Sequence, residues 1–193
     1  MPAKYKVELN RALSVDFELT CWEPVDGNNK VPEIIQIGIA ELNLKTLKRT
    51  RSDSWYVKNE FGDISEYCTS ITGITQDLLN KKGFILQDAA RLASRKYGTK
   101  NKSWFSWGSD KRAHDEDCIK KSVEPFFSNA FVDAGLLYNQ ISGASTATSL
   151  KSMADKLNVQ FEGQAHDAKI DAEVLCDVWA QLLICFRQHG LKL

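Results

Sequence analysis

The segment VPEIIQIGIAELNL, residues 31–44, restricts the fold more than any other part of the chain. Isoleucine occupies every second position from 35 to 39, and a period of two is that of a β-strand. Residues 11–19 and 52–58 have the composition of two further strands, and the turn-forming stretch EPVDGNNKVP (23–32) separates the first from the second. Three consecutive strands with short connections predict an antiparallel meander.

Helices and short strands alternate in the remainder of the chain. The clearest element is the terminal helix, in which apolar residues recur every four positions from Ile170 to Phe186. Gly98 is a natural stop for a helix over residues 85–97. We therefore predict a single-domain α/β protein, in which helices flank a mixed sheet. The other predicted elements are helical turns within 64–80, helices at 110–121, 136–142 and 148–158, and strands at 102–108 and 129–135.

Composition and charge exclude several classes of function. Lys plus Arg and Asp plus Glu each number 25, so the net charge is zero, whereas proteins that coat nucleic acid non-specifically carry a surplus of positive charge. The five cysteines include no C-x-x-C pair, which argues against a zinc site or a disulfide framework and favours a reducing compartment. No secretory signal is visible, and no apolar run approaches the ~18 residues of a membrane span. We expect a cytoplasmic protein that does not cross a membrane.

Two carboxylates stand in the first predicted strand. The stretch SVDFELTCWE (14–23) places Asp16 and Glu18 two positions apart, so both side chains point to the same face of the strand. Carboxylates about 7 Å apart at Cα repel each other and lose hydration when they are buried. A hard divalent cation removes both penalties, because it prefers oxygen ligands. The Asp-x-Glu pattern is short and recurs at 171–173, so it indicates a metal site only together with further ligands.

Further candidate ligands lie in GQAHDAKIDAEVL, residues 163–175. Asp167 can cap the terminal helix, which leaves His166 in the preceding loop and Asp171 one turn inside. Five residues span about 500° of a regular helix, so His166 and Asp171 border one cavity only if the loop folds the imidazole back. The alternatives are a surface histidine and a solvated aspartate.

An acid in the middle of the chain follows the strand predicted at 102–108. Asp110 lies at the exit of this strand, where α/β sheets build their sites. Either Asp110 or Ser109 also suits the N-terminal cap of the next helix. The acids at 115–117 are interpreted as an exposed face of that helix.

These three pieces, in this order, resemble the motifs of the DEDDh family of 3′–5′ exonucleases, within the ribonuclease H-like superfamily. VDFELTCWE carries the Asp-x-Glu motif, Asp110 is the central aspartate, and HDAKID is the His-x4-Asp motif. Through DFELTCWE, EIIQIGIAELN and YCTSITGITQDLL, the chain is most similar to the histone-mRNA and small-RNA 3′-exonuclease subgroup. The resemblance covers roughly residues 12–186 and implies a single exonuclease domain, with a mixed five-stranded sheet of an antiparallel meander followed by parallel strands.

The second motif departs from the pattern of the subgroup. The subgroup reads W-G-x-x-D, whereas this chain has the shorter WGSD. Asp110 is our assignment, and Asp115 and Asp117 are the alternatives. The residue after His166 is also acidic, and Asp167 either binds metal or caps the helix.

The resemblance implies a metal-dependent hydrolysis at the 3′ end of single-stranded RNA or DNA that releases nucleoside 5′-monophosphates. His166 would accept the proton of the attacking water, because an imidazole titrates near neutral pH. The metal ions would supply the positive field that a protein of zero net charge lacks. Four carboxylates would hold two Mg²⁺ or Mn²⁺ ions: Asp16, Glu18, Asp110 and Asp171.

A pocket for the terminal nucleotide needs a flat stacking surface and contacts to the sugar hydroxyls. Trp22 and Trp107 are able to stack on bases, but large aromatic residues near a strand more often belong to the core. His114 and His189 are interpreted as surface residues. The resemblance assigns four residues to substrate binding: Leu19, Thr20, Ile74 and His166.

Two other functions compete with an exonuclease. A nuclease-like fold that only binds nucleic acid or a protein partner would lack one of the acids or the histidine. A ribonuclease H-like endonuclease would lack the His-x4-Asp ending. Because all five positions are filled, the exonuclease is favoured, while RNA or DNA preference and oligomeric state are left open.

Overall fold

The computed structural model describes residues 6–25, 30–161, 163 and 166–189. Within these residues the chain forms five strands and seven α-helices. The strands are β1 (Glu8–Leu19), β2 (Ile34–Asn43), β3 (Lys48–Tyr56), β4 (Lys102–Ser106) and β5 (Phe131–Asp133). The helices are α1 (Glu66–Thr72), α2 (Gln76–Lys82), α3 (Leu86–Tyr97), α4 (Asp110–Lys120), α5 (Ala134–Ser142), α6 (Leu150–Lys156) and α7 (Ala168–His189).

The five strands form one mixed sheet in the order β3-β2-β1-β4-β5. β1, β2 and β3 pair antiparallel, whereas β4 runs parallel to β1, and β5 runs parallel to β4. The predicted meander and the predicted ribonuclease H-like sheet are both confirmed. Because β1 and β4 are parallel neighbours, their carboxyl ends meet at one edge of the sheet.

Strand β2 is buried on both faces, since every residue from Ile34 to Leu42 is buried. Three of its isoleucines, Ile34, Ile37 and Ile39, pack in a core shared with α3. The opposite face, which carries Gly38 and Ala40, packs against α7. The alternation of large and small residues therefore lets α7 approach the sheet closely on one side.

Several predicted elements have different bounds in the structure. β3 begins at Lys48, earlier than the predicted start at residue 52, because pairing with β2 extends the strand through the polar sequence KRTR. The strand predicted at 129–135 is only three residues long, Phe131–Asp133. In the segment between α5 and α6, Ser149 caps α6, because its side chain accepts a hydrogen bond from Ser152 N over 3.1 Å.

His114 is a core residue, so its interpretation as a surface residue is wrong. It is 1% exposed and stacks on Phe17, with ring centroids 6.2 Å apart. Its Nε2 accepts a hydrogen bond from Phe126 N over 3.3 Å, and Nδ1 lies 2.8 Å from Asp115 Oδ1. Burial lowers the pKa of His114, which favours the neutral ring. The side chain of His189 lies outside the described residues.

All five cysteines are free thiols. In the part of the chain that the structure describes, none of the helices has the length and apolar character needed to cross a bilayer. The hairpin predicted between β1 and β2 falls in part on residues 26–29, outside the described ranges.

Candidate active site

The start of α7 lies against the middle of the sheet, directly over the two acids of β1. In the β1–β2 ladder, Asp16 pairs with Gly38 and Glu18 pairs with Gln36. A Cβ atom at Gly38 would lie 1.8 Å from the carbonyl oxygen of Ala168, the first residue of α7. Only glycine permits this contact, which brings the first turn of α7 to the two β1 acids.

Glu18, His166 and Asp171 converge at this point. Their potential ligand atoms all lie within 4.8 Å of one another. His166 has a left-handed backbone, with φ of 65°, and its N–H donates to Asp171 Oδ2 over 2.9 Å. The loop before α7 thus folds back, as it must if His166 and Asp171 are to border one cavity. Glu18 is 7% exposed, whereas His166 is exposed to solvent.

Asp110 joins the cluster from the exit of β4. It is the first residue of α4, and its Oδ1 accepts a hydrogen bond from Phe17 N over 3.2 Å. That N–H belongs to the peptide that follows Asp16. The buried hydroxyl of Ser106, near Asp110, donates to Gly108 O over 3.3 Å.

The two alternatives to Asp110 lie elsewhere on α4. Asp115 forms an ion pair with Lys111 and contacts His114. Asp117 is 2% exposed, so its interpretation as an exposed acid is wrong. Its Oδ2 accepts from Ile34 N over 3.0 Å and lies 3.0 Å from Lys121 Nζ. Asp110 is therefore the acid of this helix that stands beside β1.

The carboxylates of the cluster repel one another. Burial raises the pKa of Glu18 to about 8, with further increases from Asp171 and Asp167. Burial also raises the pKa of Asp110 to about 6, against the opposing effect of the nearby Ser106 hydroxyl and of the hydrogen bond from Phe17 N.

The other two acids are affected in the same way. The pKa of Asp16 is well above its ordinary value, because of burial first and then the charges of Asp110, Asp171 and Glu18. Burial likewise raises the pKa of Asp171, although the bond from His166 N partly offsets it. Closely spaced acids that bind protons this tightly fit a site for hard divalent cations, whose charge offsets the repulsion and the desolvation.

Asp167 forms the cap of α7, one of the two roles considered for it. Its Oδ1 accepts hydrogen bonds from Lys169 N over 2.9 Å and Ile170 N over 3.3 Å. Its negative charge also raises the pKa values of Asp16 and Glu18. A role of Asp167 as a metal ligand stays a prediction.

The residues predicted to bind the nucleotide have different surroundings. Leu19 is partly exposed at the end of β1. Thr20 is 3% exposed, and its Oγ1 accepts from Glu33 N over 2.9 Å. Ile74 is 2% exposed and packs with Ile35 in a small core cluster. Of the three, Leu19 has the most accessible side chain, and all three assignments stay predictions.

The two tryptophans considered for stacking also differ. Trp107 Nε1 donates to Thr148 O over 2.7 Å, and the ring packs against the core on the α7 side. Trp22 is partly exposed, and Lys30 Nζ lies 5.1 Å from the centroid of its ring. Trp107 is thus hydrogen-bonded into the fold, but both tryptophans are partly exposed.

Sequence reasoning missed one residue that touches the site. The side chain of Gln36 is 1% exposed, and its Oε1 accepts a hydrogen bond from Ala168 N over 3.2 Å. A glutamine in a fully buried strand is the signal that would have indicated it, since buried polar groups are nearly always hydrogen-bonded.

The fold and the site together define a class of protein. A mixed sheet with acids near the ends of the parallel strands β1 and β4, completed by a His-x4-Asp segment at the start of the last helix, is the arrangement that the resemblance to the DEDDh exonucleases predicts. The chain belongs to the exonuclease family RNase_T, whose model matches residues 13–179. The predicted family is confirmed.

Similar proteins carry related descriptions. The 3′-5′ exoribonuclease 1 of Mus musculus is 27% identical over 191 residues, which cover 93% of this chain and 53% of the mouse protein. The chain thus spans about half the length of this curated relative.

Solved structures share the fold. The nuclease domain of 3′hExo, a DEDDh family member bound to rAMP, has a TM-score of 0.79 at 23% identity and covers 96% of this chain and 95% of that chain. A structure of 3′-end specific recognition of histone mRNA stem-loop by 3′-exonuclease has a TM-score of 0.78 at 24% identity, covering 91% of this chain and 82% of that chain.

Proposed function

We propose that the chain is a divalent-metal-dependent 3′–5′ exonuclease that removes terminal nucleotides from single-stranded RNA or DNA as nucleoside 5′-monophosphates. The observation that carries the proposal is the convergence of Glu18, His166 and Asp171 within 4.8 Å. The membership of the exonuclease family supports it. The names of the relatives, which include 3′-5′ exoribonuclease 1, favour RNA as the first substrate to test.

The metal ligands are carboxylates from three elements. Bound Mg²⁺ or Mn²⁺ ions would lower the pKa of a coordinated water and stabilise the leaving 3′ oxygen. The ions would also provide the positive charge that attracts a polyanion to a protein of zero net charge. Asp16, Glu18, Asp110 and Asp171 are the proposed ligands for two such ions.

His166 is the proposed general base. Its exposed ring can reach solvent, and its ligand atom lies within 4.8 Å of the carboxylate oxygens of Glu18 and Asp171. A ring nitrogen at this position accepts the proton of a water held between the carboxylates. The hydrogen bond from His166 N to Asp171 Oδ2 maintains the backbone that carries the ring.

Leu19 extends from the end of β1 next to Glu18 and is the proposed apolar contact for the terminal nucleotide. Thr20 and Ile74 are buried, so we propose that they shape the pocket wall. The five free thiols support a reducing compartment, for which we propose the cytoplasm.

The direct test is degradation of matched single-stranded RNA and DNA that carry a label at the 5′ end, with Mg²⁺ or Mn²⁺. An exonuclease of this polarity gives a ladder of progressively shortened labelled strands, together with nucleoside 5′-monophosphates. The matched control is the variant Asp16→Asn, which should leave both strands intact. The competing function, a nuclease-like binding module, predicts a mobility shift of the strand without shortening by the wild-type protein.

A further inference from the structure

Gln36 connects β2, the neighbour of the strand that carries Asp16 and Glu18, to α7, the helix that carries Asp171. It pairs with Glu18 in the β1–β2 ladder, and its amide oxygen accepts a hydrogen bond from Ala168 N over 3.2 Å. Ala168 is the first residue of α7, which also carries Asp171. One hydrogen bond therefore joins the β2 residue that pairs with Glu18 to the first residue of α7.

This bond completes the capping of α7. The first N–H groups of a helix have no acceptor within the helix and need one from outside it. Asp167 provides that acceptor for Lys169 and Ile170. The N–H of Ala168 instead receives its acceptor from Gln36, on another element. The first turn of α7 is thus held both by its own cap and by the sheet.

The backbone before α7 depends on such external bonds. His166 adopts φ of 65°, a left-handed conformation that costs about 1–2 kcal/mol for a residue with a Cβ atom. Its side chain is exposed, so packing contributes little to its orientation. The bonds at His166 N and at Ala168 N, two residues later, are therefore the contacts that direct this turn.

We propose that Gln36 is a positioning residue for His166, an inference that rests on the proposed role of His166 as general base. The amide oxygen of Gln36 holds the start of α7 so that the preceding turn directs the imidazole toward Glu18 and Asp171. An amide suits this position, because it supplies an acceptor without adding another negative charge beside Glu18.

The test compares Gln36→Leu, which removes the acceptor, with Gln36→Glu, which keeps an acceptor oxygen at the same distance along the side chain. In Gln36→Leu we expect kcat to fall about 10- to 100-fold, the usual effect of removing a group that orients a ligand or base, while KM and the Mn²⁺ affinity from calorimetry stay near wild type. In Gln36→Glu most of the lost kcat should return at saturating Mn²⁺.

A double-mutant cycle separates positioning from general destabilisation. If Gln36 acts through His166, Gln36→Leu should cause no additional loss of single-turnover rate in a protein that already carries His166→Ala. An equal loss in both backgrounds would overturn the inference. The matched control is Ile39→Val, a buried change in the same strand that faces the α3 side and should leave kcat unchanged.

Amide hydrogen exchange tests the same bond without turnover. Exchange at Ala168 should accelerate in Gln36→Leu and return toward the wild-type rate in Gln36→Glu, while Ile39→Val leaves it unchanged. Unaltered exchange in Gln36→Leu would overturn the inference. A wild-type protein that does not shorten strands from the 3′ end would instead count against the proposed function, so the two failures are distinguishable.

Discussion

The main-chain N–H of Phe17 donates a hydrogen bond to Asp110 Oδ1 over 3.2 Å. Phe17 lies between Asp16 and Glu18, so the central aspartate is bonded to the backbone of the strand that carries the other two acids. The parallel pairing of β1 with β4 makes this contact possible, because both strands end at the same edge of the sheet.

Asp110→Asn should abolish Mg²⁺-dependent cleavage. An amide can still accept the hydrogen bond from Phe17 N, but it lacks the negative charge with which a carboxylate offsets the charge of a divalent cation. Rates of release of the terminal nucleotide measure the effect. The matched control is Asp115→Asn, because Asp115 lies on the same helix and pairs with Lys111. Retained activity in Asp110→Asn together with its loss in Asp115→Asn would move the central acid further along α4.

His166→Ala should lower the cleavage rate about 10²- to 10⁴-fold, the range for loss of a general base. Its side chain is exposed, so the melting temperature should change little. Mn²⁺ binding by calorimetry should be retained, because the four carboxylates remain. A variant that cleaves a 3′-labelled strand at the wild-type rate would contradict the role of His166.

The stability of the metal-free protein should fall as the pH rises from about 4 to about 8. Glu18 has a pKa of about 8 in the folded chain against 4.5 ordinarily, and Asp110 has about 6 against 3.8. Between these values the native state binds more protons than the unfolded state, so the free energy of unfolding decreases with increasing pH.

Added Mn²⁺ should reverse this trend. Metal ligands must be deprotonated, so the affinity should rise with pH up to about 8, where Glu18 loses its proton. Melting temperatures with and without Mn²⁺ across this range provide the measurement, and calorimetry in two buffers reports the released protons. A metal-induced shift that does not depend on pH would contradict the raised pKa values.

Gly38→Ala should displace the start of α7. The added Cβ would lie 1.8 Å from the carbonyl oxygen of Ala168, and overpacking of this kind costs about 1–3 kcal/mol. We expect a lower free energy of unfolding in urea and a weaker affinity for Mn²⁺, because Asp171 moves with the helix. Ser54→Ala is the control, since Ser54 pairs with Gly38 from β3 and the change adds no atoms. Wild-type stability and Mn²⁺ affinity in Gly38→Ala would contradict the contact.

Local patterns in the sequence predict most of the elements. The period of two in the isoleucines predicts β2, and Gly98 ends α3, with φ of 63°, as expected. The start of β3 is not visible, because Lys48 and Arg49 have no strand character of their own and are ordered by pairing with β2. Likewise, the polar sequence of α4 does not reveal that His114 and Asp117 are buried, because their burial results from contact with the sheet.

The acids of the site are recognisable from spacing, but their arrangement is not. A regular helix would place His166 and Asp171 on different sides, whereas the left-handed backbone at His166 brings them together. Neither this turn nor the contact between Gly38 and Ala168 follows from local propensity, because both depend on how α7 packs against the sheet.

The ligand cluster unites elements that are far apart in the sequence, since Glu18 lies on β1 and Asp171 on α7. During synthesis, a ribosome-bound chain that has emerged only as far as α6 possesses the sheet but neither His166 nor Asp171. The proposed metal site therefore stays incomplete in such a nascent chain until α7 has been translated.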